Sequence, residues 1–208
     1  MRLSRLLLVP FAIASMLLPA AAQQRTDVEV ATFAGGCFWC VEADFDKVDG
    51  VVSTISGFMG GKKENVSYKE VTAGGTGHKE VVQITFDPKK VSYERLVHVF
   101  WRTIDPLDAN GQFCDKGDSY TTAIFTHSDE QMKVAAAGKK AIEESGRFKQ
   151  PIVTEIRPAS HFSKAEEYHQ DFYKKDPGRY FSYRAGCGRD QRVKALWGAE
   201  AGGKSATQ

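Results

Sequence analysis

Residues 28–45 run V-E-V-A-T-F-A-G-G-C-F-W-C-V-E-A-D-F, and this segment decides how the chain begins to fold. Apolar and polar side chains alternate from Val28 to Phe33, which predicts a strand. Gly35-Gly36 then allows a tight turn, and apolar residues recur at four-residue spacing from Cys37 onward, which predicts a helix. Cys37 lies in the first turn of this helix, where unpaired backbone N–H groups and the helix dipole stabilise a thiolate. We therefore expect a lowered pKa for the Cys37 thiol.

The rest of the chain alternates between strand and helix patterns. Further strands are predicted at residues 51–59, 78–86, 120–126 and 151–156, and amphipathic helices at residues 92–104 and 128–145. This order predicts an α+β fold: a layered αβ sandwich with a ferredoxin-like core, in which helices pack on a mixed or antiparallel sheet. Glycine, arginine and aromatic residues dominate from Asp176 onward, so we expect an extended C-terminal coil, with residues 198–208 disordered.

The first 22 residues resemble a secretory signal peptide. Two arginines precede a long apolar run, and Ala20-Ala21-Ala22 provides a cleavage site of small residues. We expect residues 1–22 to be removed, and residues 23–208 to form a single exported domain in the periplasm without stable membrane contact. The alternative is an uncleaved N-terminal segment that anchors the protein to the membrane.

The charge balance excludes one class of partner. The 208 residues carry 28 basic and 26 acidic side chains, and the basic surplus comes from the two arginines of the leader. A domain without net charge offers no electrostatic basis for binding nucleic acid. We expect a monomer with no nucleic-acid partner.

The cysteine pattern favours redox chemistry. The four cysteines are Cys37, Cys40, Cys114 and Cys187. Disulfide scaffolds usually place more cysteines in a shorter chain, and a zinc site uses paired clusters, whereas only Cys37 and Cys40 are close in sequence. We therefore expect no metal, and we consider structural disulfides the weaker interpretation.

Several polar residues fall in loops or at strand ends, where functional groups tend to lie. Tyr68 is in a loop between strands, and Glu80 begins a strand after a glycine-rich turn. Asp115 is in a polar loop, and Tyr120 follows it by five residues. Taken singly, each has an ordinary interpretation as a solvated acid, a turn aspartate or a half-buried tyrosine.

Four separated motifs occur along the chain: Gly-Cys-Phe-Trp at 36–39, Gly-Phe-Met-Gly-Gly at 57–61, Thr-Gly-His-Lys-Glu at 76–80 and Ala-Glu-Glu-Tyr-His-Gln at 165–170. Together they resemble the type A peptide methionine sulfoxide reductases, and the similarity extends from about Val28 to Trp197. The resemblance implies an oxidoreductase that reduces methionine S-sulfoxide, free or in proteins, and so repairs oxidised proteins. It implies no cofactor beyond an external thioredoxin-like dithiol.

The resemblance also implies a role for each site residue. Cys37 corresponds to the nucleophile, which becomes a sulfenic acid, while Phe38 and Trp39 correspond to the aromatic wall that holds the methyl group of the substrate. The residues implied around the sulfoxide oxygen are Glu80, the acid that protonates it, the phenols of Tyr68 and Tyr120, and Asp115. An acid that acts at neutral pH needs a raised pKa, which desolvation in an aromatic pocket provides.

Two cysteines are candidates for resolving the sulfenic acid as a disulfide. Cys40 stands where many family members have glycine, and it is one helical turn from Cys37. Cys187 lies between two glycines in a segment that we expect to be mobile enough to reach Cys37. The sequence favours neither candidate over the other, and a relay from Cys40 to Cys187 is a further alternative.

The C-x-x-C pair also fits a general exported thiol–disulfide oxidoreductase. Such an enzyme has no need of an acid and two phenols beside its thiols. A third interpretation is a binding or structural module in which the cysteines are inert core residues. Turnover of methionine sulfoxide distinguishes the first interpretation from the other two.

Overall fold

The structure, a computed structural model, describes residues 27–203. The expected leader (residues 1–22) and the last five residues lie outside this range. Within this range there are eight strands: β1 Glu29–Ala34, β2 Val51–Met59, β3 Lys79–Phe86, β4 Gly111–Gln112, β5 Asp115–Lys116, β6 Ala123–Thr126, β7 Glu155–Pro158 and β8 Ser163–Lys164. The described part of the chain also contains seven α-helices: α1 Phe38–Phe45, α2 Tyr68–Thr72, α3 Tyr93–Trp101, α4 Asp129–Glu144, α5 Phe172–Lys175, α6 Pro177–Gly186 and α7 Arg189–Trp197. Across residues 27–203, every helix is too short or too polar to span a bilayer.

The main sheet has six strands in the spatial order β7-β6-β1-β3-β2-β8, and β4 and β5 form a separate hairpin. All neighbours in the main sheet are antiparallel except β6 and β7, which are parallel. The central order β6-β1-β3-β2 is that of a split βαβ arrangement, so the predicted ferredoxin-like core and α+β class are confirmed. The register places Glu80 of β3 directly opposite Phe58 of β2.

The helices pack on one face of this sheet and build the main core there. The Phe33 ring from β1 stacks on Phe45 of α1 at 5.2 Å and on Phe100 of α3 at 4.9 Å between ring centroids. A smaller apolar cluster on Met59 and Phe125 is packed against a partly buried phenylalanine of the loop before β8. Burial of the Phe33 face thus fixes α1, and with it the cysteine turn, against the centre of the sheet.

The C-terminal region is helical, so the predicted extended coil is wrong. Asp176 caps α6, because its carboxylate accepts a hydrogen bond from the Arg179 N–H at 3.1 Å, and Pro177 occupies the first helical turn. Gly188, with φ of 67°, separates α6 from α7. The glycines that suggested a coil therefore serve as helix boundaries.

Residues 198–203 are ordered as well, contrary to the predicted disorder, and residues 204–208 lie outside the described range. The segment Gly198–Gly203 has 3₁₀ structure interrupted by a kink at Ala201 and Gly202. Arg102, the C-cap residue of α3, pairs with Glu200 at 2.7 Å, and Arg95 of α3 donates a hydrogen bond to the Gly203 carbonyl at 2.6 Å. These contacts with α3 hold the segment in place.

Candidate active site

The two thiols of the first helix lie side by side beneath the surface. Cys37 is the N-cap residue of α1, and Cys40 lies one turn further on; their exposed fractions are 7% and 1%. The preceding turn depends on Gly36, which has φ of +81° and whose added Cβ would lie 2.5 Å from Gln112 Cβ. Only glycine fits this turn, which therefore brings the cysteine pair against the β4–β5 hairpin.

The protonation of the pair differs from the sequence prediction. Burial raises the pKa of the Cys37 thiol well above its ordinary value, and the nearby Cys40 and Glu80 raise it further. The pKa of Cys40 is lowered, first because Cys37 donates a hydrogen bond to its sulfur. The expected low pKa of Cys37 is therefore wrong, because desolvation outweighs the position at the helix N-terminus. Cys40 is the more acidic thiol of the two.

Glu80 is the buried acid of the site, with an exposed fraction of 2%. Its Oε2 accepts a hydrogen bond from the Phe38 backbone N–H at 3.0 Å, which holds the carboxyl beside the cysteine turn. Burial raises the pKa of Glu80 to about 8, and the charges of Asp115 and Cys40 act in the same direction. The predicted raised pKa is confirmed, so Glu80 is mostly protonated at neutral pH.

Two phenols face the same acid. Tyr68 and Tyr120 share a hydrogen bond through their side chains. Burial raises the pKa of both, and the charge of Glu80 raises it further. Tyr68 begins α2 instead of lying in the predicted loop, because Ser67 and Glu70 form a capping box there. The structure thus brings together the acid and both phenols that the sequence analysis named.

Asp115 joins this group through a residue that the sequence analysis missed. The Tyr183 hydroxyl of α6 donates a hydrogen bond to Asp115 Oδ2 and also lies within hydrogen-bonding reach of the Cys37 sulfur. Burial raises the pKa of Asp115, and the Tyr183 hydrogen bond partly offsets this. Tyr183 lies in the segment predicted as coil. Its i, i+3 spacing from Tyr180 is the feature of the sequence that indicates a helix there.

The two aromatic residues after Cys37 have different surroundings. Phe38 is 1% exposed, with its ring centroid 4.9 Å from that of His169. Trp39 is partly exposed, stacks on Phe172 at 3.8 Å, and donates from Nε1 to His169 Nδ1 at 3.0 Å. Burial lowers the pKa of His169 to about 4, so its neutral ring accepts this bond. His169 belongs to the motif at 165–170, which was noticed in the sequence without a role for this side chain.

The remaining cysteines are joined to each other. Cys114, in the turn of the β4–β5 hairpin, forms a disulfide with Cys187 at the C-cap of α6. The expected mobile position of Cys187 is therefore wrong, since both its helix and this bond fix it. The sulfur atoms of this pair and a carboxylate oxygen of Asp115 lie within 4.8 Å of one another, but sulfurs joined in a disulfide are not thiolate ligands for a metal.

Together these groups form a site for cysteine-dependent redox chemistry. A buried thiol is positioned next to a second, more acidic thiol, and a protonated carboxyl and two phenols face it. The acid and the phenols are suited to stabilising an oxygen that gains negative charge.

Comparison with known proteins agrees with this class. The family described as peptide methionine sulfoxide reductase matches residues 29–201. The peptide methionine sulfoxide reductase MsrA of Bacillus licheniformis is 53% identical over 170 residues, which cover 82% of this chain and 94% of the relative. The same enzyme of Bacillus velezensis is 54% identical over 169 residues, which cover 81% of this chain and 96% of the relative.

Solved structures give the same answer. The reduced form of Mxr1 from Saccharomyces cerevisiae superposes with a TM-score of 0.68 at 34% identity, covering 73% of this chain and 87% of that one. Methionine sulfoxide reductase A of Corynebacterium diphtheriae gives a TM-score of 0.65 at 30% identity, covering 74% and 77%. The chain belongs to the peptide methionine sulfoxide reductase family, and it is an oxidoreductase.

Proposed function

We propose that the enzyme reduces methionine S-sulfoxide to methionine at Cys37. The observation that carries this proposal is the buried carboxyl of Glu80, with a pKa of about 8, beside the Cys37 thiol. A sulfoxide sulfur is a poor electrophile until its oxygen is protonated or strongly hydrogen-bonded. An acid that remains protonated at neutral pH meets that requirement.

The first step transfers one oxygen atom. The Cys37 sulfur attacks the sulfoxide sulfur while Glu80 gives its proton to the oxygen, and the thiol proton of Cys37 leaves to a neighbouring base. The oxygen, now a hydroxyl, moves from the substrate sulfur to Cys37 Sγ as the sulfur–sulfur bond formed in the attack breaks. Methionine departs, and Cys37 is oxidised to a sulfenic acid. Tyr68 and Tyr120 donate hydrogen bonds to the oxygen as charge grows on it. Asp115 orients the site through Tyr183.

The aromatic residues provide the selectivity in this proposal. Phe38 and Trp39 form the wall that receives the methyl group bonded to the sulfoxide sulfur, while the oxygen is directed towards Glu80. Because the methyl group and the oxygen occupy fixed places, one epimer at sulfur fits and the other does not. The resemblance to the type A reductases implies that the S epimer is the one accepted. Both free and peptide-bound methionine sulfoxide are substrates in this proposal, which makes protein repair the physiological role.

Resolution of the sulfenic acid by Cys40 completes the reaction. Cys40 is in hydrogen-bond contact with Cys37, whereas Cys187 is engaged with Cys114. Closing a bond between cysteines three residues apart at a helix start requires local rearrangement, which the N-cap position of Cys37 favours because that residue is outside the helix proper. An external thioredoxin-like dithiol then reduces the Cys37–Cys40 disulfide.

We also propose that the enzyme acts as an exported monomer. The basic start, apolar run and small-residue cleavage site of residues 1–22 support export to the periplasm. Its reductant is then a thioredoxin-like protein of the same compartment. Cell fractionation and N-terminal sequencing of the mature protein, combined with its mass in solution, test this; a cytoplasmic protein that retains Met1 would contradict it.

Epimer-resolved turnover tests the proposed reaction. With a dithiol, the wild type should convert the S epimer of a methionine sulfoxide peptide and leave the R epimer unchanged. Cys37→Ser should be inactive, whereas Cys114→Ser, which alters an exposed cysteine, serves as the matched control and should keep the first turnover. Reduction of insulin disulfides without sulfoxide reduction would instead support a general thiol–disulfide oxidoreductase.

A further inference from the structure

Arg189, the first residue of α7, is a buried cation with an exposed fraction of 2%. None of the ion pairs found within residues 27–203 includes it. Its Nη2 donates to the carbonyls of Gly35 at 3.1 Å and Thr103 at 3.0 Å, while its Nε has no partner. The guanidinium also lies over the Phe113 ring at 4.7 Å. The carboxyl groups of Asp115 and Asp190 are within range of its charge, but neither forms an ion pair with it. A buried charge is costly without a paired counter-charge, so a further anion nearby would stabilise it.

The guanidinium lies directly behind the turn that carries the two thiols. Gly35, whose carbonyl it holds, is two residues before Cys37. Arg189 Nη1 is 3.8 Å from the position that a Cβ on Gly36 would occupy. The anion that the reaction itself can place near this cation is a thiolate of the Cys37–Cys40 pair.

Two cations lie near Cys40, and they differ in whether their charge is paired. Arg184 also faces Cys40, but it is paired with Asp44 at 2.9 Å and with Asp190 at 2.7 Å. Its charge is therefore already balanced by two carboxylates. The charged and titratable groups around Cys40 are Cys37, Asp44, Glu80, Tyr180, Arg184 and Arg189.

We propose that Arg189 is a positioning residue that holds Cys40 as the thiolate for the resolving step. The proposal rests on the proposed function, in which Cys40 resolves the sulfenic acid. The lowered pKa of Cys40 agrees with it, since the charge of Arg189 acts in that direction. Arg189 also donates a hydrogen bond to the Gly35 carbonyl, which fixes the position of the guanidinium relative to the cysteine turn.

Arg189 assists the formation of the Cys37–Cys40 disulfide. The Cys40 thiolate attacks Cys37 Sγ, a sulfur–sulfur bond forms, and the sulfur–oxygen bond of the sulfenic acid breaks. Hydroxide leaves and takes up the proton that Cys40 had released, which gives water. The external dithiol later supplies two electrons and two protons and restores both thiols. Arg189 contributes to the formation of the disulfide and makes no contact with the sulfoxide oxygen.

Two substitutions separate the charge of Arg189 from its hydrogen bonds. Arg189→Gln keeps amide donors for the backbone carbonyls without the charge, whereas Arg189→Lys keeps the charge. Lys194→Met removes a cation from the exposed face of the same helix and is the matched control. Rapid-quench single turnovers on the full enzyme, from about pH 5 to pH 10, measure methionine release and, by mass spectrometry after dimedone trapping, the formation of the Cys37–Cys40 disulfide.

In Arg189→Gln we expect methionine release to stay within about threefold of wild type. The pKa that controls disulfide formation should rise by about one unit, so that this step is about tenfold slower at low pH. Arg189→Lys and Lys194→Met should keep the wild-type profile.

Equal slowing of both steps with an unshifted pH profile would mean that Arg189 only supports the turn, and would overturn the proposal. The same profile in Arg189→Gln and Arg189→Lys would also overturn it, even if either variant were less stable. If wild type releases methionine but forms no Cys37–Cys40 disulfide, the role of Arg189 fails together with that of Cys40. Sulfoxide reduction at Cys37 would survive that result.

Discussion

Glu80→Gln keeps the size of the side chain and a hydrogen-bond donor, but it removes the proton that Glu80 gives to the sulfoxide oxygen. Burial raises the pKa of Glu80 from its ordinary 4.5 to about 8. At pH 7 about 90% of the wild-type side chains are therefore protonated, against about 0.3% for an ordinary carboxyl. Burial thus enriches the acid form about 300-fold, which is the part of the catalysis that the fold supplies here.

A positioned general acid contributes about 10²- to 10⁴-fold to a rate, or about 3–5 kcal/mol of barrier. We expect Glu80→Gln to slow methionine release in the first turnover by a factor in that range. The wild-type rate should also fall as the pH rises through about 8, because Glu80 loses its proton there. This alkaline fall should be absent in Glu80→Gln.

The assay is a quenched single turnover without reductant, in which methionine is counted against enzyme. Glu42→Gln is a close control, because Glu42 is also a buried carboxyl with a pKa of about 8, but it accepts a hydrogen bond from the Asp171 N–H away from the thiols. If Glu80→Gln released methionine within threefold of wild type, or kept the alkaline fall, the role of Glu80 as the acid would be refuted.

Three further outcomes are expected. Glu42→Gln should raise the melting temperature more at about pH 9 than at about pH 5. The ionised Glu42 carboxylate is costly to bury, and this cost grows as the pH rises from the pKa of Glu42 in the unfolded chain to its higher pKa in the folded protein. An equal change in melting temperature at both pH values would contradict this. The Cys114→Ser/Cys187→Ser pair, which opens a loop of 73 residues, should lower the free energy of unfolding by about 2–4 kcal/mol in urea titrations. An unchanged midpoint would show that the bond is not structural. Tyr183→Phe should raise the pKa of Asp115, measured by NMR, and slow the first turnover about tenfold, while the alkaline fall from Glu80 persists.

The sequence predicts β1 and α1 correctly because the residues that form the local pattern are also the residues that are buried in the core. The alternation before Gly35 and the four-residue spacing after it describe β1 and α1 correctly, because the same side chains form the core. Glu80 was recognised through its motif, and the rise in its pKa followed from burial among aromatic residues.

Other features depend on contacts between segments far apart in the chain, which local pattern does not contain. The pairing of Cys114 with Cys187 requires the β4–β5 hairpin to meet the end of α6, and α6 itself was concealed by its glycines. The pKa of Cys37 followed from enclosure by distant elements, which outweighed the local effect of the helix start. Arg189 was likewise invisible, since nothing in its neighbourhood in sequence distinguishes a buried guanidinium from an exposed one.

The position of Trp39 beside the cysteine pair has a consequence for the fluorescence of the protein. The chain has three tryptophans, and Trp101 and Trp197 are each 1% exposed and belong to the main core. Of the three, Trp39 alone lies between Cys37 and Cys40 in the sequence. A disulfide accepts an electron from an excited indole more readily than a thiol does, so oxidation of the pair should dim this one fluorophore. The fluorescence intensity of Trp39 should therefore report whether the Cys37–Cys40 pair is oxidised or reduced.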